Sequence, residues 1–379
     1  MNKNRIMNKI SVAFITACML LCMLCGCFFG CACNEGITRY DYFLFDTNVT
    51  VYISGKTPSA QMKKDLDALV NTAKNCFDIE NEASEISVFN TTLGQGRVIQ
   101  LSDTFYSVLT EARKYYSLSR NKFNPALYPL SDLWQFSPAK WKENQRIGNV
   151  GINPPNELAI EQALAKISFS FEMNANEKTA TRTRDTADTT IDLGGIVKGW
   201  LVKEMASIVK SYGDYVGYIS AGASSIYVLS CDTVSVVHPI NNSENIIQIN
   251  TAEKKDFSVS TSGDYQKYYY DLQNIYTTYC HIIDDNGYPI KTKTNSVTVL
   301  AKDAAFADAI STALCCYAYV PSSSNSPLVA IINEILTNPE YADTIVFAVS
   351  SANGGKYVIT NAQDGTYTLL DDAYTVVRI

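Results

Sequence analysis

The run DLGGIVKGW, Asp192 to Trp200, sets a carboxylate, two adjacent glycines and a lysine side by side, a composition suited to holding an anion. Glycines allow a close backbone approach that a Cβ would block, and amides at a helix start face a phosphate or pyrophosphate with partial positive charge. TTID, Thr189 to Asp192, reads as a strand end, and Lys198 is expected to open the amphipathic helix VKGWLVKEMASIVKSY. The same run also describes a plain strand-to-helix turn with steric glycines and a solvated lysine.

Three further groups could do chemistry. ADAIST, Ala307 to Thr312, puts Asp308 and Thr312 on one helical face. Carboxylate plus hydroxyl is a hard-oxygen pair that suits Mg2+ completed by water and phosphate oxygens. The alternative is an Asp308 in the first helical turn, facing the macrodipole; alanine there should delete a ligand and leave the fold intact. STSGDYQKYY, Ser260 to Tyr269, gathers hydroxyls, Gly263 and Asp264. It could bind phosphate oxygens, with Asp264 as a base or orienting a metal-bound water, or be an ordinary hairpin turn. The chain has two histidines, His238 and His281. His281 stands in HIIDDNGYP beside carboxylates that could tune it as a base, although a lone histidine also serves as a satisfied structural imidazole.

These residues need a scaffold. YFLFDTNVTVYISG reads as a strand or hairpin, SAQMKKDLDALVNTAKNCFDIE as a two-faced helix, and SEISVFN as a helix start. A helix over 103–119, capped by Ser102 or Asp103, is followed by the turn-rich RNKFNPALYPLSDLWQF and a helix over 157–166. From Ile167 the chain turns β-rich, with FSFEM, TTIDL, VGYISAG, SIYVLS, SVSVVHP and IIQIN. FSVSTSGDYQKYYY and YCHIIDDNGYPI form a hairpin-like pair, and SVTVLA precedes a helix over 306–319. A helix over 328–337 and three strands complete an α+β or mixed α/β pattern with a large antiparallel part.

At 379 residues without a Pro/Gly-rich internal linker, one large domain or two interleaved lobes are expected. Lys3, Arg5 and Lys9 precede an apolar run from Ile10 to Leu24, an export signal too short for the ~20 residues of a permanent span. LCGC, Leu24 to Cys27, resembles a lipobox with Cys27 as the lipidated residue; Phe28 and Phe29 suit the later Cys31 and Cys33 poorly. The alternative is an uncleaved anchor with palmitoylated cysteines, and either places the domain outside the cytoplasmic membrane. Loss of residues 1–26 takes the formal net charge from −7 to −10, which gives no electrostatic case for nucleic acid. Beyond Cys33, Cys76, Cys231, Cys280, Cys315 and Cys316 remain, an odd number with no CxxC, and the adjacent Cys315 and Cys316 in the apolar run ISTALCCYAYV read as packing residues rather than a disulfide framework or zinc site.

Taken in order, DLGGIVKG, SAGASS, STSGDY, HIIDDNGYP and SVTVLA with ADAIST resemble the FAD:protein FMN transferase family, also called ApbE, over about residues 41–379. FLFDT, SEISVFN and NKFNPALYPL resemble its N-terminal elements. The resemblance implies a T-fold-like α+β architecture with antiparallel sheets and packed helices, cleavage of the FAD pyrophosphate, and FMN joined through a phosphoester to a Thr or Ser of a partner protein. It makes Asp192, Lys198, Phe45, Phe123, Asn124 and Ile282 contacts of FAD. It makes the Gly195 carbonyl, Asp308 and Thr312 ligands of Mg2+, and His281 the base, with Asp264 the acid of the SGDY motif. Three positions depart from the family pattern: Asn124 replaces an aspartate, Ala223 a glycine, and Ser311 an acidic residue found in some members. The expected organisation is a signal peptide over 1–26, a tether over 27–40 and the catalytic domain over 41–379. The implied partner is an exported flavoprotein of a membrane electron-transfer system. The rivals are a FAD pyrophosphatase releasing FMN and AMP, and a lipoprotein that binds flavin without turnover.

Overall fold

Alternating apolar residues in ITRYDYFL and TNVTVYISG build an antiparallel hairpin, β1 (Ile37–Leu44) and β2 (Thr47–Gly55), with Val49, Val51 and Ile53 buried. The computed structural model describes residues 36–92, 96–182, 190–321 and 325–379. The export signal, Cys27, Cys31, Cys33 and Thr189 lie outside the described residues. Strand β1 begins inside the stretch read as a tether, because its backbone pairs with β2 from Ile37 onward.

The hairpin is followed by α1 (Ala60–Phe77), α2 (Glu85–Thr92), β3 (Val98–Gln100) and α3 (Asp103–Leu118), whose N-cap is Ser102. Next come α4 (Tyr128–Leu133), α5 (Pro138–Arg146), β4 (Gly151–Ile152), α6 (Glu157–Leu164), β5 (Phe171–Asn174) and β6 (Thr179–Arg182). Helix α7 (Gly194–Ser211) leads to β7 (Tyr215–Ala221), β8 (Ser225–Ser230), β9 (Thr233–Val237), β10 (Asn245–Asn250) and β11 (Lys255–Gly263). Then β12 (Tyr268–Asp271), β13 (Thr278–Cys280), β14 (Thr294–Ala301), α8 (Ala304–Cys315) and α9 (Pro327–Thr337) follow. The chain ends in β15 (Ile345–Ser350), β16 (Tyr357–Thr360), β17 (Tyr367–Leu369) and β18 (Thr375–Arg378).

Nine strands form one largely antiparallel sheet in the order β1-β2-β7-β8-β11-β14-β15-β16-β18. Its two faces bury different cores, as strand alternation requires. In β8, Tyr227 and Leu229 join the core shared with α7 and α8, while Ile226 and Val228 join the one beneath the small sheet β17-β10-β9; β15 repeats this with Val346 and Ala348 against Phe347 and Val349. A third core, with Trp134, Tyr269 and Tyr279, lies under the sheet β13-β12-β4. The protein is therefore α+β with antiparallel sheets and packed helices.

Four expectations change. Within TTIDL, the described residues 190–193 form no strand, and α7 starts at Gly194 rather than near Lys198. Helix α8 starts at Ala304, where Asp303 accepts from the Phe306 amide (2.8 Å), and stops at Cys315. STSG belongs to the main sheet, between β8 and β14, so only Tyr268–Tyr270 pair with Thr278–Cys280. The C-terminal part holds four strands, since Thr375–Arg378 add in parallel to β16. No helix among the described residues is long and apolar enough to cross a membrane.

Candidate active site

The site is built where α7 crosses α8. A Cβ on Gly199 would lie 2.1 Å from the Ala304 carbonyl oxygen and 2.9 Å from Asp308 Cβ, so only glycine permits this crossing. The contact lets the Gly199 amide donate to Asp308 Oδ2 at 3.0 Å, while Ser225 Oγ donates to Oδ1 at 2.9 Å. DLGGIVKG, SAGASS and ADAIST thus meet on one carboxylate. Asp308 is 3% exposed and sits beyond the first helical turn, which corrects its placement at the helix start; Asp303 does the capping. Lys198 Nζ lies 3.5 Å from Asp308 Oδ2 and donates to the Gly194 carbonyl at 2.8 Å, so it is not solvated.

The loop before α7 is fixed from three sides. Asn90 brackets Ile191, donating to its carbonyl and accepting from its amide, each at 2.9 Å. The Asp192 amide donates to the Pro125 carbonyl and its Oδ1 accepts from the Gly194 amide, both at 2.8 Å. Burial pushes the Asp192 carboxyl up, against the Gly194 amide and the charges of Lys198 and Lys267. Gly195 is small because Phe123 Cε2 lies 3.1 Å from where a Cβ would be.

The donor set suits a hard cation. A regular helix pairs the Gly199 amide with the Gly195 carbonyl; here that amide also serves Asp308, and the carbonyl oxygen keeps acceptor capacity. Thr312 Oγ1 is 3.2 Å from the Asp308 carbonyl and 3.0 Å from Ser262 Oγ, which also meets Ser311 Oγ at 2.9 Å. No group of three or more His, Cys, Asp or Glu that could hold a metal occurs among the described residues. A single carboxylate with a carbonyl and a hydroxyl fits Mg2+ that takes its remaining ligands from phosphate and water. Ser311, where some relatives are acidic, is spent on a bond to the Asp308 carbonyl (3.0 Å).

His281 follows β13. Its amide donates to the Lys267 carbonyl at 3.0 Å, and Nδ1 lies 3.3 Å from the same oxygen. With Nδ1 as donor, Nε2 keeps its lone pair. Burial, then the positive charges of Lys267 and Lys198, hold the imidazole down to about 3, so it is neutral at physiological pH. Lys122 reaches from the turn before Phe123 to Asp284 (2.6 Å) and Asp285 (2.8 Å), clamping the two motifs together. Burial works against the Lys122 ammonium, but the two carboxylates outweigh it and raise its pKa.

The remaining candidates take varied places. Asp264 accepts from Asn295 Nδ2 at 3.0 Å and burial pushes its carboxyl up; no hydrogen bond joins it to His281. Phe45 and Asp46 form the β1–β2 turn with φ of 53° and 57°, a conformation that favours Asn-Gly, so a phenylalanine there is a strained choice. Lys142 bridges Asp46 at 2.6 Å. Asn124 Oδ1 accepts from the Ala126 amide at 3.0 Å, capping the short 3-10 turn Pro125–Leu127. Ile282 is buried in the main core. Ala223 is exposed in the β7–β8 turn, whose left-handed position is Gly222 (φ 62°), so alanine fits there. His238 is structural: Nδ1 accepts from the amides of Ile240 and Asn241, leaving Nε2 to donate to Asp371 at 3.2 Å. All five described cysteines are free and buried. A cavity of about 700 Å³ beside Trp134, Pro154 and Tyr288 lies apart from these groups.

Asn90, Lys122, Ser225 and Lys267 were not singled out by the sequence. All four stand inside quoted runs, SEISVFN, RNKFNPALYPLSDLWQF, SAGASS and STSGDYQKYY, but nothing in their spacing revealed their partners.

An α+β frame that gathers hard-oxygen donors, lysines and a neutral histidine defines a protein built for a phosphorylated ligand. The chain belongs to the ApbE family, whose model matches residues 45–320. It is 25% identical over 286 residues to a FAD:protein FMN transferase of Haemophilus influenzae, covering 74% of this chain and 77% of that one. A FAD:protein FMN transferase of Vibrio cholerae is 27% identical over 268 residues, covering 69% and 74%. The fold is similar to the solved flavin transferase ApbE of Vibrio cholerae, with a TM-score of 0.66 and 20% identity over 86% of this chain and 97% of that one. The ApbE protein of Thermotoga maritima gives a TM-score of 0.66 at 22% identity, over 83% and 95%.

Proposed function

We propose that the chain is a FAD:protein FMN transferase. The observation that carries this reading is the convergence of two separate motifs on Asp308 of a third, through the Gly199 amide and Lys198 ammonium of DLGGIVKG and Ser225 Oγ of SAGASS.

In the proposed reaction a Ser or Thr hydroxyl of the acceptor protein attacks the FMN phosphorus of FAD. The bond from that phosphorus to the AMP oxygen breaks, giving a phosphoester and AMP. His281 Nε2 takes the hydroxyl proton, and Asp264, whose carboxyl is raised by burial, is the second catalytic candidate. Asp192, Lys198, Phe45, Phe123, Asn124 and Ile282 orient FAD. Asp308, Thr312 and the Gly195 carbonyl would hold Mg2+, which supplies charge neutralisation at the diphosphate. Residues 1–26 act as a signal, with Cys27 carrying a lipid that tethers the catalytic domain, 41–379, to the outer face of the membrane. The acceptor is an exported flavoprotein of a membrane electron-transfer system.

Incubation with FAD, Mg2+ and a Ser/Thr-containing acceptor tests the reading: the acceptor should gain the mass of FMN less one water as AMP appears. Free FMN and AMP with an unmodified acceptor would make it a hydrolase, and intact FAD a binding protein. Mass spectrometry of the mature N-terminus would show diacylated Cys27 or refute it.

A further inference from the structure

Three lysines surround the site, and their charges are not equally spent. Lys142 is paired with Asp46 and Glu80. Lys198 is committed to the Gly194 carbonyl and Asp308. The Lys267 ammonium makes no hydrogen bond or ion pair with any described residue; it lies over the Trp141 ring at 5.6 Å. We propose that Lys267 is the anion-binding residue of this site, engaging a phosphate oxygen of the substrate.

The geometry argues as follows. Lys267 is half-buried, its carbonyl accepts from the His281 amide and lies 3.3 Å from His281 Nδ1, and its ammonium lies over the Trp141 ring, close enough for its charge to act on His281. The groups facing it are Lys198 within α7, Asp192 on the preceding loop, Asp46 on the β1–β2 turn, Lys142 on α5 and His281 after β13. Neither carboxylate forms an ion pair with Lys267: Asp46 is paired with Lys142, and Asp192 accepts from the Gly194 amide through Oδ1. Burial and the repulsion of Lys198 accordingly lower the Lys267 pKa, the mark of a cation short of a counter-ion. A diphosphate supplies that counter-ion. Once bound, it also cancels one of the two positive charges that suppress His281, so the base gains affinity for a proton only when substrate is present.

The inference rests on the flavin reading for its ligand but not for its anion chemistry, and the test separates the two. Binding of FAD, riboflavin and inorganic pyrophosphate is measured for wild type, Lys267→Met, Lys267→Gln and Lys267→Arg, with circular dichroism confirming each fold. The neutral variants should lose at least about tenfold in FAD and pyrophosphate affinity and keep riboflavin binding unchanged, while arginine restores most of the loss. Wild type that takes pyrophosphate through Lys267 yet ignores FAD upholds the anion site and defeats the flavin reading. Folded neutral variants that bind pyrophosphate like wild type, or that lose riboflavin and FAD equally, overturn the assignment.

Discussion

The Gly199 amide donates to the Asp308 carboxylate at 3.0 Å, joining α7 to α8. Gly199→Ala would push a methyl into the Ala304 carbonyl, and both helices would have to part. A loss of about 3 kcal/mol is expected from overpacking, read from urea midpoints, together with loss of Mg2+-dependent activity. Unchanged stability would mean the crossing is looser than described.

Asp308 now has a structural as well as a chemical task. Asp308→Ala leaves the Ser225 hydroxyl buried without its acceptor and takes from the Gly199 amide its bond across the helix crossing, and should cost about 1–3 kcal/mol, contrary to the sequence-level expectation of an intact fold. Asp308→Asn keeps an acceptor and should retain more stability while activity at saturating Mg2+ collapses. Full activity in the asparagine variant would remove Asp308 from the cation site.

His281 carries a pH signature. Its folded pKa is about 3, below the unfolded value near 6.5, so between those values the unfolded chain binds more protons. The contribution is complete above about pH 6.5 and is lost as pH falls toward 3. His281→Gln should flatten the decline in stability between about pH 7 and pH 5 and abolish transfer while sparing FAD binding. Equal slopes in both proteins would contradict the neutral imidazole.

Lys122 should couple to Asp284. A double-mutant cycle of Lys122→Met and Asp284→Asn is expected to return about 1–2 kcal/mol of interaction energy, because both side chains are mostly buried. Transfer should fall in each single variant as the His281 turn loosens. Additive effects would leave the clamp without energetic standing.

Asn90 offers a test remote from the chemistry. Asn90→Ala removes both bonds to Ile191 and should cost about 2 kcal/mol and weaken FAD binding through a displaced Asp192 loop. Wild-type affinity in a folded Asn90→Ala protein would show that the loop holds itself.

Legibility varied with the range of the interaction. Local patterns exposed the β1–β2 hairpin, the Ser102 cap and the burial of Cys315 and Cys316, since period, capping and composition act within a few residues. The chemistry of Asp308 was visible as a residue type, but its partners Gly199 and Ser225 lie about a hundred positions away and required the sheet to bring them in. TTIDL looked like a strand because its residues favour one, yet Asn90 and Pro125 take up backbone groups of Ile191 and Asp192 that a ladder would use. Lys267 was passed over because a lysine's lack of partners cannot be seen without its neighbours.

The order of the large sheet bears on how the chain acquires its shape. Strand β2 pairs with β7 across more than 150 intervening residues, and the helix carrying Asp308 is supplied later still. Such pairings close slowly, because loop entropy must be lost before the contact repays it. The hairpin synthesised first therefore waits with an open edge until β7 arrives, and the ligand site is among the last features to exist. Cofactor cannot template the early steps of folding; it can only trap the finished state.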